Sequence, residues 1–129
     1  MIQRFPDRLS KSFSRITTLD LGSSLLVFVA GNVGVPPEGP ALVVAEKFED
    51  EVRLCFENIA IALAEVNGVL TDLVKINAFL KSAADYPVYN SVREELLAGA
   101  LPASATVIVA DLLVNARLEI DGTAVVKKR

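Results

Sequence analysis

The stretch that decides the fold is ENIAIALAEVNGVLTDLVKINAFL, which runs from Glu57 to Leu80. Apolar residues between Ile59 and Val66 recur at spacings of three and four, the pattern of one buried helix face. Asn67 and Gly68 form a helix stop signal, and the apolar run that follows predicts a strand over 73–80. A helix, a tight turn and a strand in succession predict a helix that packs on a sheet.

The same alternation continues outward in both directions along the chain. The first helix is predicted over 45–66, and a second helix begins after Asp85, has Pro87 in its first turn and ends at Gly99. The polar N-terminal residues, 1–11, are predicted to form an arm. Strands are predicted within four further segments: 12–22, 24–35, 105–112 and 116–126.

Two helices and five or six strands predict an α+β fold in a single domain spanning 1–129. We expect a mixed six-stranded sheet with both helices on one face. The other face is then uncovered, which favours oligomerisation in a chain with 52% hydrophobic residues. The last strand alternates accordingly, with one face formed by Ala116, Leu118 and Ile120 and the other by Arg117, Glu119 and Asp121.

Two packing details follow from the same spacing rules. In the second helix, Val88, Val92 and Leu96 are predicted to form the inner face. In the strand that comes next, Val107 and Val109 are predicted to point into the core.

Composition excludes several classes of function. The chain has 129 residues and a net charge of −3, with a pI of about 4.9, so no basic stripe for nucleic acid is expected. It has no histidine, which excludes a Ser-His-Asp triad, a Cys-His dyad and histidine-bound zinc within the chain. A single cysteine fits a reducing cytoplasm, and no apolar run is long enough to span a membrane.

Several polar residues have a functional and a structural interpretation. Glu119 and Asp121 share a strand face, where a carboxylate can position water or move a proton, but spacing alone favours a charged ladder with Arg117. Asn90 interrupts the second helix close to Arg93, and its amide can bind a ligand or simply face water.

Two residues favour structural roles, and a glycine is compatible with either role. Asn58 in the first helix is predicted to tether a loop backbone. Cys55 lies on the apolar stripe and is predicted to pack in the core. Gly31 follows a strand, where glycine permits a close approach of another group or a positive φ.

Several of these residues belong to one larger pattern. The segments LVFVAGNVG, ENIAIALAEVNGVLTDLVKINAFL, DYPVYNSV, LPASATV and LEIDGTAV resemble, in order and spacing, those of the RidA/YjgF family, whose older labels include endoribonuclease L-PSP and translation inhibitor. The resemblance covers about nine-tenths of the chain, roughly residues 13–126.

The resemblance implies a chorismate-mutase-like fold and a homotrimer in which three sheets form a central barrel. Clefts between neighbouring subunits bind small carboxylates in this family. The implied activity is the hydrolysis of reactive enamines and imines to oxo acids and ammonia, with no metal or organic cofactor. No nucleic-acid or membrane partner is expected, and the expected location is the cytoplasm.

The resemblance also implies roles for individual residues. A glycine whose backbone lines the cleft corresponds to Gly31, and an asparagine of the second helix corresponds to Asn90. The glutamate that orients the hydrolytic water corresponds to Asp121, which is one methylene shorter.

Other positions depart from the family pattern. Phe13 replaces a tyrosine and has no hydroxyl, and Thr106 stands at a small polar position. Ser104 replaces the arginine that binds the substrate carboxylate through paired charge-assisted hydrogen bonds. Arg15, close to Phe13, is a candidate for the missing cation.

Three functions remain open from the sequence. The first is a RidA-like hydrolase of small imines, enamines or related C–N substrates, with Asp121 as the catalytic residue. The second is a non-catalytic trimer that binds a metabolite or a partner protein in the same clefts. The third is RNA cleavage, against which the acidic pI and the absent histidine argue.

Overall fold

The chain folds as one mixed β-sheet with two helices. The computed structural model describes all residues, 1–129. Three short 3-10 turns lie at 70–72, 83–85 and 113–115. The main elements, in order, are β1 (Ile2–Pro6), β2 (Ser14–Asp20), β3 (Ser24–Val33), α1 (Phe48–Ala64), β4 (Leu73–Leu80), α2 (Tyr86–Leu97), β5 (Ala103–Ile108) and β6 (Leu118–Lys127).

The strand order across the sheet is β1-β2-β3-β6-β4-β5. β4 and β5 are parallel, with α2 as the crossover between them, and all other neighbouring strands are antiparallel. The predicted mixed six-stranded sheet with two helices is therefore confirmed.

The core lies between the helices and one face of the sheet. Alternate residues of β6, including Leu118 and Ile120, are fully buried there, as the sequence alternation predicted. The apolar stripe of α1 covers them, and its Cys55 is buried against the Leu118 carbonyl. Cys55 is fully buried in the core, which confirms its packing role. Burial also raises the pKa of its thiol.

The inner face of α2 differs from the prediction. Tyr89, Val92 and Leu97 are buried, whereas Val88 is 39% exposed. The reason is aromatic packing, since the Tyr89 ring stacks on Phe56 of α1 with centroids 6.4 Å apart. This contact turns Val88 away from the core.

The prediction that Val107 points into the core is also wrong for the single chain. β5 is an edge strand, and Val107 lies on the sheet face without helices, where it is 47% exposed. Val109 follows the end of β5 and is half-buried, and its N–H donates to the Leu80 carbonyl at 2.8 Å. The apolar residues of this strand therefore face outward from the chain.

The N-terminal arm is partly a strand. Ile2–Pro6 pairs with β2 in antiparallel register, which satisfies backbone groups that an edge would otherwise leave free. The register shifts between Phe5 and Pro6, where proline has no N–H to donate. No helix of the chain is long and apolar enough to cross a membrane.

The second sheet face carries no helix, as predicted. Its side chains come from the alternate positions of each strand. Exposed apolar residues lie on this face beside the two carboxylates of β6: Leu19, Phe28, Val107 and Val125.

Candidate functional site

One group of predicted site residues lines a pocket beside the end of β3. The pocket has a volume of about 290 Å³, and Phe13, Arg15 and Gly31 lie on its wall together with the loop that follows β3. Phe13 is 52% exposed, so its ring offers an apolar surface at the mouth. The N-terminal region and β3 thus meet at one pocket.

Asn58 holds the loop of this pocket in place. From α1, its side-chain Nδ2 donates to the carbonyl oxygens of Val33 at 3.1 Å and Val35 at 2.9 Å. The predicted tether of a loop backbone is confirmed, and one amide satisfies two carbonyls that leave the sheet ladder.

Gly31 allows a close approach rather than a positive φ. A Cβ atom at this position would collide with the carboxylate of Glu119 on β6. Glycine therefore lets the Glu119 carboxylate lie against the β3 backbone, and a larger residue here would displace the flexible end of that side chain.

A second group of predicted residues lies elsewhere, between α2 and β5. Ser104 and Thr106 line a pocket of about 450 Å³. Asn90 and Ser104 line an adjoining pocket of about 220 Å³. Arg93 lies on the wall of both pockets and joins them.

Asp121 lies on the opposite face of the sheet from Ser104. The register places Asp121 opposite Asn77 of β4, and the Asn77 Nδ2 donates to Asp121 Oδ1 at 2.8 Å. Ser104 pairs with the buried Ile76 and so shares the helix-covered face. Within one chain, the predicted catalytic acid does not meet the second group.

Glu119 is the neighbouring acid on the same face as Asp121. Partial burial raises the pKa of Glu119, and the nearby charge of Asp121 adds to the effect. No arginine or lysine nitrogen lies within 4 Å of its carboxylate. The pair is therefore two acids close together, not the charged ladder with Arg117 that the spacing favoured.

Arg117 instead belongs to the framework behind the first pocket. Its Nε donates to Glu51 at 2.6 Å, and its backbone N–H donates to the same carboxylate at 2.7 Å. A second nitrogen binds the carbonyls of Ala45 and Glu46 ahead of α1. These bonds fix the loop between β3 and α1.

Comparison with known proteins identifies the family. A family model described as endoribonuclease L-PSP matches residues 10–126. A protein from Dermatophagoides farinae named 2-iminobutanoate/2-iminopropanoate deaminase is 33% identical over 102 residues, or 78% of each chain. A protein of the same name from Salmonella typhimurium is 32% identical over 111 residues, or 83% of each.

The chain belongs to the endoribonuclease L-PSP family. This is the family called RidA/YjgF above, so the predicted resemblance is confirmed. The crystal structure of yeast Mmf1 matches 99% of this chain and 100% of its own, with a TM-score of 0.86 and 26% identity. A structure of E. coli TdcF with bound serine matches 97% of this chain and 94% of its own, with a TM-score of 0.79 and 25% identity.

The predicted site residues lie in separate places within one chain. Gly31 lines the first pocket and Asn90 lines one of the pockets between α2 and β5. Asp121 is held by Asn77, a contact that sequence reasoning missed. The predicted cation, Arg15, lines the first pocket, where its Nη1 lies 3.7 Å from Glu65. The role of Arg15 stays a prediction.

Sequence reasoning also missed Arg93. The only signal was its position three residues after Asn90, a spacing that places both side chains on one face of a helix. Its contact with Ser104 joins two elements and is visible only in the folded chain. The structure contains no cluster of three or more histidine, cysteine or acidic side chains that could hold a metal ion.

Proposed function

We propose that this protein is a hydrolase that converts small imino acids to oxo acids and ammonia, in a cleft between neighbouring subunits of a homotrimer. The observation that carries the proposal is the carboxylate of Asp121. Asn77 fixes one of its oxygens, and the other is free to accept a proton from water. The family resemblance implies that the acid at this position orients the hydrolytic water.

The names of the relatives support the substrate class. Two proteins at least 32% identical to this chain are named 2-iminobutanoate/2-iminopropanoate deaminase. The E. coli TdcF structure holds serine, which carries a carboxylate next to the carbon bonded to nitrogen. A small 2-imino acid has the same arrangement of carboxylate, carbon and nitrogen.

The separation of the predicted site residues supports a cleft between subunits. The first pocket, with Phe13 and Gly31, and the pockets between α2 and β5, with Asn90 and Ser104, are lined by different residues. They do not merge within one chain. A trimer that covers the apolar sheet face brings one group from each subunit to a common boundary.

The chemistry is a hydrolysis in which atoms and charges balance. Water adds to the carbon of the protonated imine while Asp121 accepts one of its protons, and the electrons of the C=N bond move to nitrogen, which becomes a neutral amine. Asp121 gives this proton to the amine. The C–N bond then breaks as the hydroxyl oxygen forms the carbonyl, and the hydroxyl proton goes to the departing ammonia. The products are an oxo acid and ammonium, and Asp121 is again a carboxylate.

The test is the decay of 2-iminopropanoate or 2-aminoacrylate generated in situ, followed by absorbance. The wild-type protein is expected to accelerate the decay, and Asp121→Asn is expected to lower that acceleration by about 100-fold or more. Asp50→Asn, an exposed acid of α1, makes the same charge change away from the site and is the control. No acceleration by the wild-type protein contradicts the proposed activity.

The oligomeric part of the proposal has its own measurement. Light scattering is expected to give three times the subunit mass of 13.8 kDa. A monomer mass at working concentration contradicts the cleft.

A further inference from the structure

The side chain of Arg93 reaches from α2 to Ser104 on β5. Its Nη1 donates to the Ser104 Oγ at 2.8 Å. Position 104 is where the resemblance places the carboxylate-binding arginine. The structure therefore puts a guanidinium next to the position that lost one, but on a different element.

Neutral groups hold the guanidinium of Arg93 in a fixed place. Its Nη2 donates to the Tyr86 hydroxyl at 3.0 Å and to Asn90 Oδ1 at 2.5 Å. Its carbon lies 4.9 Å from the centroid of the Tyr89 ring, within range of a cation–π contact. Four residues thus orient the side chain before any ligand arrives.

The charge of Arg93 is not neutralised within the chain. No carboxylate oxygen lies within 4 Å of its nitrogens, although the side chain is half-buried. Arg53, on the facing helix, is bound by both Glu49 and Glu95. The nearby Glu94 instead accepts from Asn90 at 3.3 Å. Arg93 is therefore a positioned cation without an anion.

The surroundings of Arg93 have further unused hydrogen-bonding capacity. Three of the five N–H groups of a guanidinium are donated here, so two remain. The Tyr89 hydroxyl is fully buried and has no hydrogen-bond partner. Burial raises the pKa of Tyr89, while Arg93 and Ser104 are close enough to act in the opposite direction. The Tyr89 hydroxyl is thus a further polar group beside Arg93 and Ser104.

We propose that Arg93 binds the carboxylate of the substrate and that Ser104 acts as a positioning residue by holding Arg93. This inference rests on the proposed function, since it names the group that recognises the imino acid. A carboxylate can take the unused N–H groups or replace a neutral acceptor, because its negative charge adds a Coulomb attraction that the neutral oxygens lack. The short Ser104 leaves room for the guanidinium that an arginine at the same position would repel.

The test measures the affinity for pyruvate, a stable carboxylate product, and for its uncharged amide, by titration calorimetry. The wild-type protein is expected to prefer pyruvate at least tenfold. Arg93→Met is expected to remove that preference, and Arg93→Lys to keep part of it because the charge stays. Arg53→Met makes the same charge change on the facing helix and is expected to alter the affinity less than about twofold.

A double variant keeps the test valid if Arg93→Met perturbs folding. In Arg93→Met/Ser104→Arg, the cation returns on β5, and the preference for pyruvate is expected to return with it. Thermal unfolding of each variant checks that the fold is intact. An Arg93→Met protein that still prefers pyruvate overturns the inference, and so does an equal loss of affinity for the amide.

The outcome also separates this inference from the proposed function. Arg93-dependent binding of pyruvate without accelerated imine decay contradicts the deaminase activity and supports the binding role of Arg93. Accelerated decay that Arg93→Met leaves unchanged, in rate and in KM, supports the activity and contradicts the inference. Loss of the preference in Arg15→Met, with Arg93→Met unaffected, also overturns it and assigns the contact to Arg15.

Discussion

Arg117 and Arg93 are half-buried arginines that lie on aromatic rings, 5.6 Å from the Phe48 centroid and 4.9 Å from the Tyr89 centroid. They differ in what surrounds the charge. Arg117 is bound to the fully buried carboxylate of Glu51. Arg93 is bound only to neutral oxygens.

The difference separates a residue that stabilises the fold from one that is available to a ligand. Breaking the Arg117 pair leaves the Glu51 charge buried, which is costly. Removing Arg93 leaves only hydroxyl and amide groups, and water can reach the pocket to satisfy most of them. The two regions therefore predict opposite responses of stability and binding to the same substitution.

The largest expected effect breaks the Arg117 pair. Arg117→Met is expected to lower the free energy of unfolding by about 3–5 kcal/mol, because Glu51 keeps only a backbone N–H. Arg93→Met is expected to lower it by less than about 1 kcal/mol. Urea unfolding measures both, with Arg53→Met as a matched surface control. Equal losses in the two variants contradict the division of roles.

A second test compares the glycines that face Glu51 and Glu119. A Cβ on Gly34 meets the backbone and the side chain of Glu51, whereas a Cβ on Gly31 meets only the side chain of Glu119. Arg117 holds Glu51 in place, so Gly34→Ala is expected to lower the free energy of unfolding by about 3 kcal/mol. The end of the Glu119 side chain can move, so Gly31→Ala is expected to lower it by about 1 kcal/mol.

Urea unfolding also measures this pair of variants. In a Glu119→Ala background, Gly31→Ala is expected to leave the free energy of unfolding almost unchanged, because the side chain that the new Cβ would meet is gone. If Gly31→Ala lowers the free energy of unfolding as much as Gly34→Ala does, the prediction is wrong and the Glu119 side chain is as rigid as that of Glu51.

The smallest expected effect is the pH dependence of stability that comes from Glu119. Its pKa in the folded chain is raised above the ordinary value of 4.5, so the fold favours the protonated form. The favourable contribution is complete below pH 4.5 and is lost as the pH rises through the raised pKa.

As the pH rises from 4.5 to 7, the free energy of unfolding of Glu119→Gln is therefore expected to fall less than that of the wild type. Glu57→Gln, an exposed residue of α1, removes the same charge and serves as the control. A steeper fall in Glu119→Gln means that the Glu119 carboxylate has a cationic partner.

Much of the fold follows from local sequence patterns. The apolar stripe of α1 and the alternation in β6 each depend on periodicity within one element, and both predictions hold. Val107 was misread because an apolar residue on a strand does not reveal which face the helices cover. Val88 was misread because the rotation of α2 depends on the contact between Tyr89 and Phe56.

The candidate site was less accessible from the sequence. The tether formed by Asn58 was predicted because an amide on an apolar helix face needs a partner. The sequence does not predict a ligand contact for Arg93, because a helical arginine is usually a solvated charge. The family pattern instead makes Arg15, close to Phe13, the candidate for the cation missing at position 104. The hydrogen bond from Arg93 to Ser104 joins α2 to β5. A contact between two elements leaves no periodic pattern in the sequence.

β6 is the last strand in chain order, yet it lies between β3 and β4 near the middle of the sheet. Until β6 docks, strands β1–β3 and β4–β5 are two separate sheets with bare inner edges. Its register pairs Lys127 with Ser24, which lies 103 residues earlier in the chain. Pairing between such distant residues slows folding, so we expect the docking of β6 to be late and slow. The newly made chain is then most vulnerable to aggregation through those two open edges.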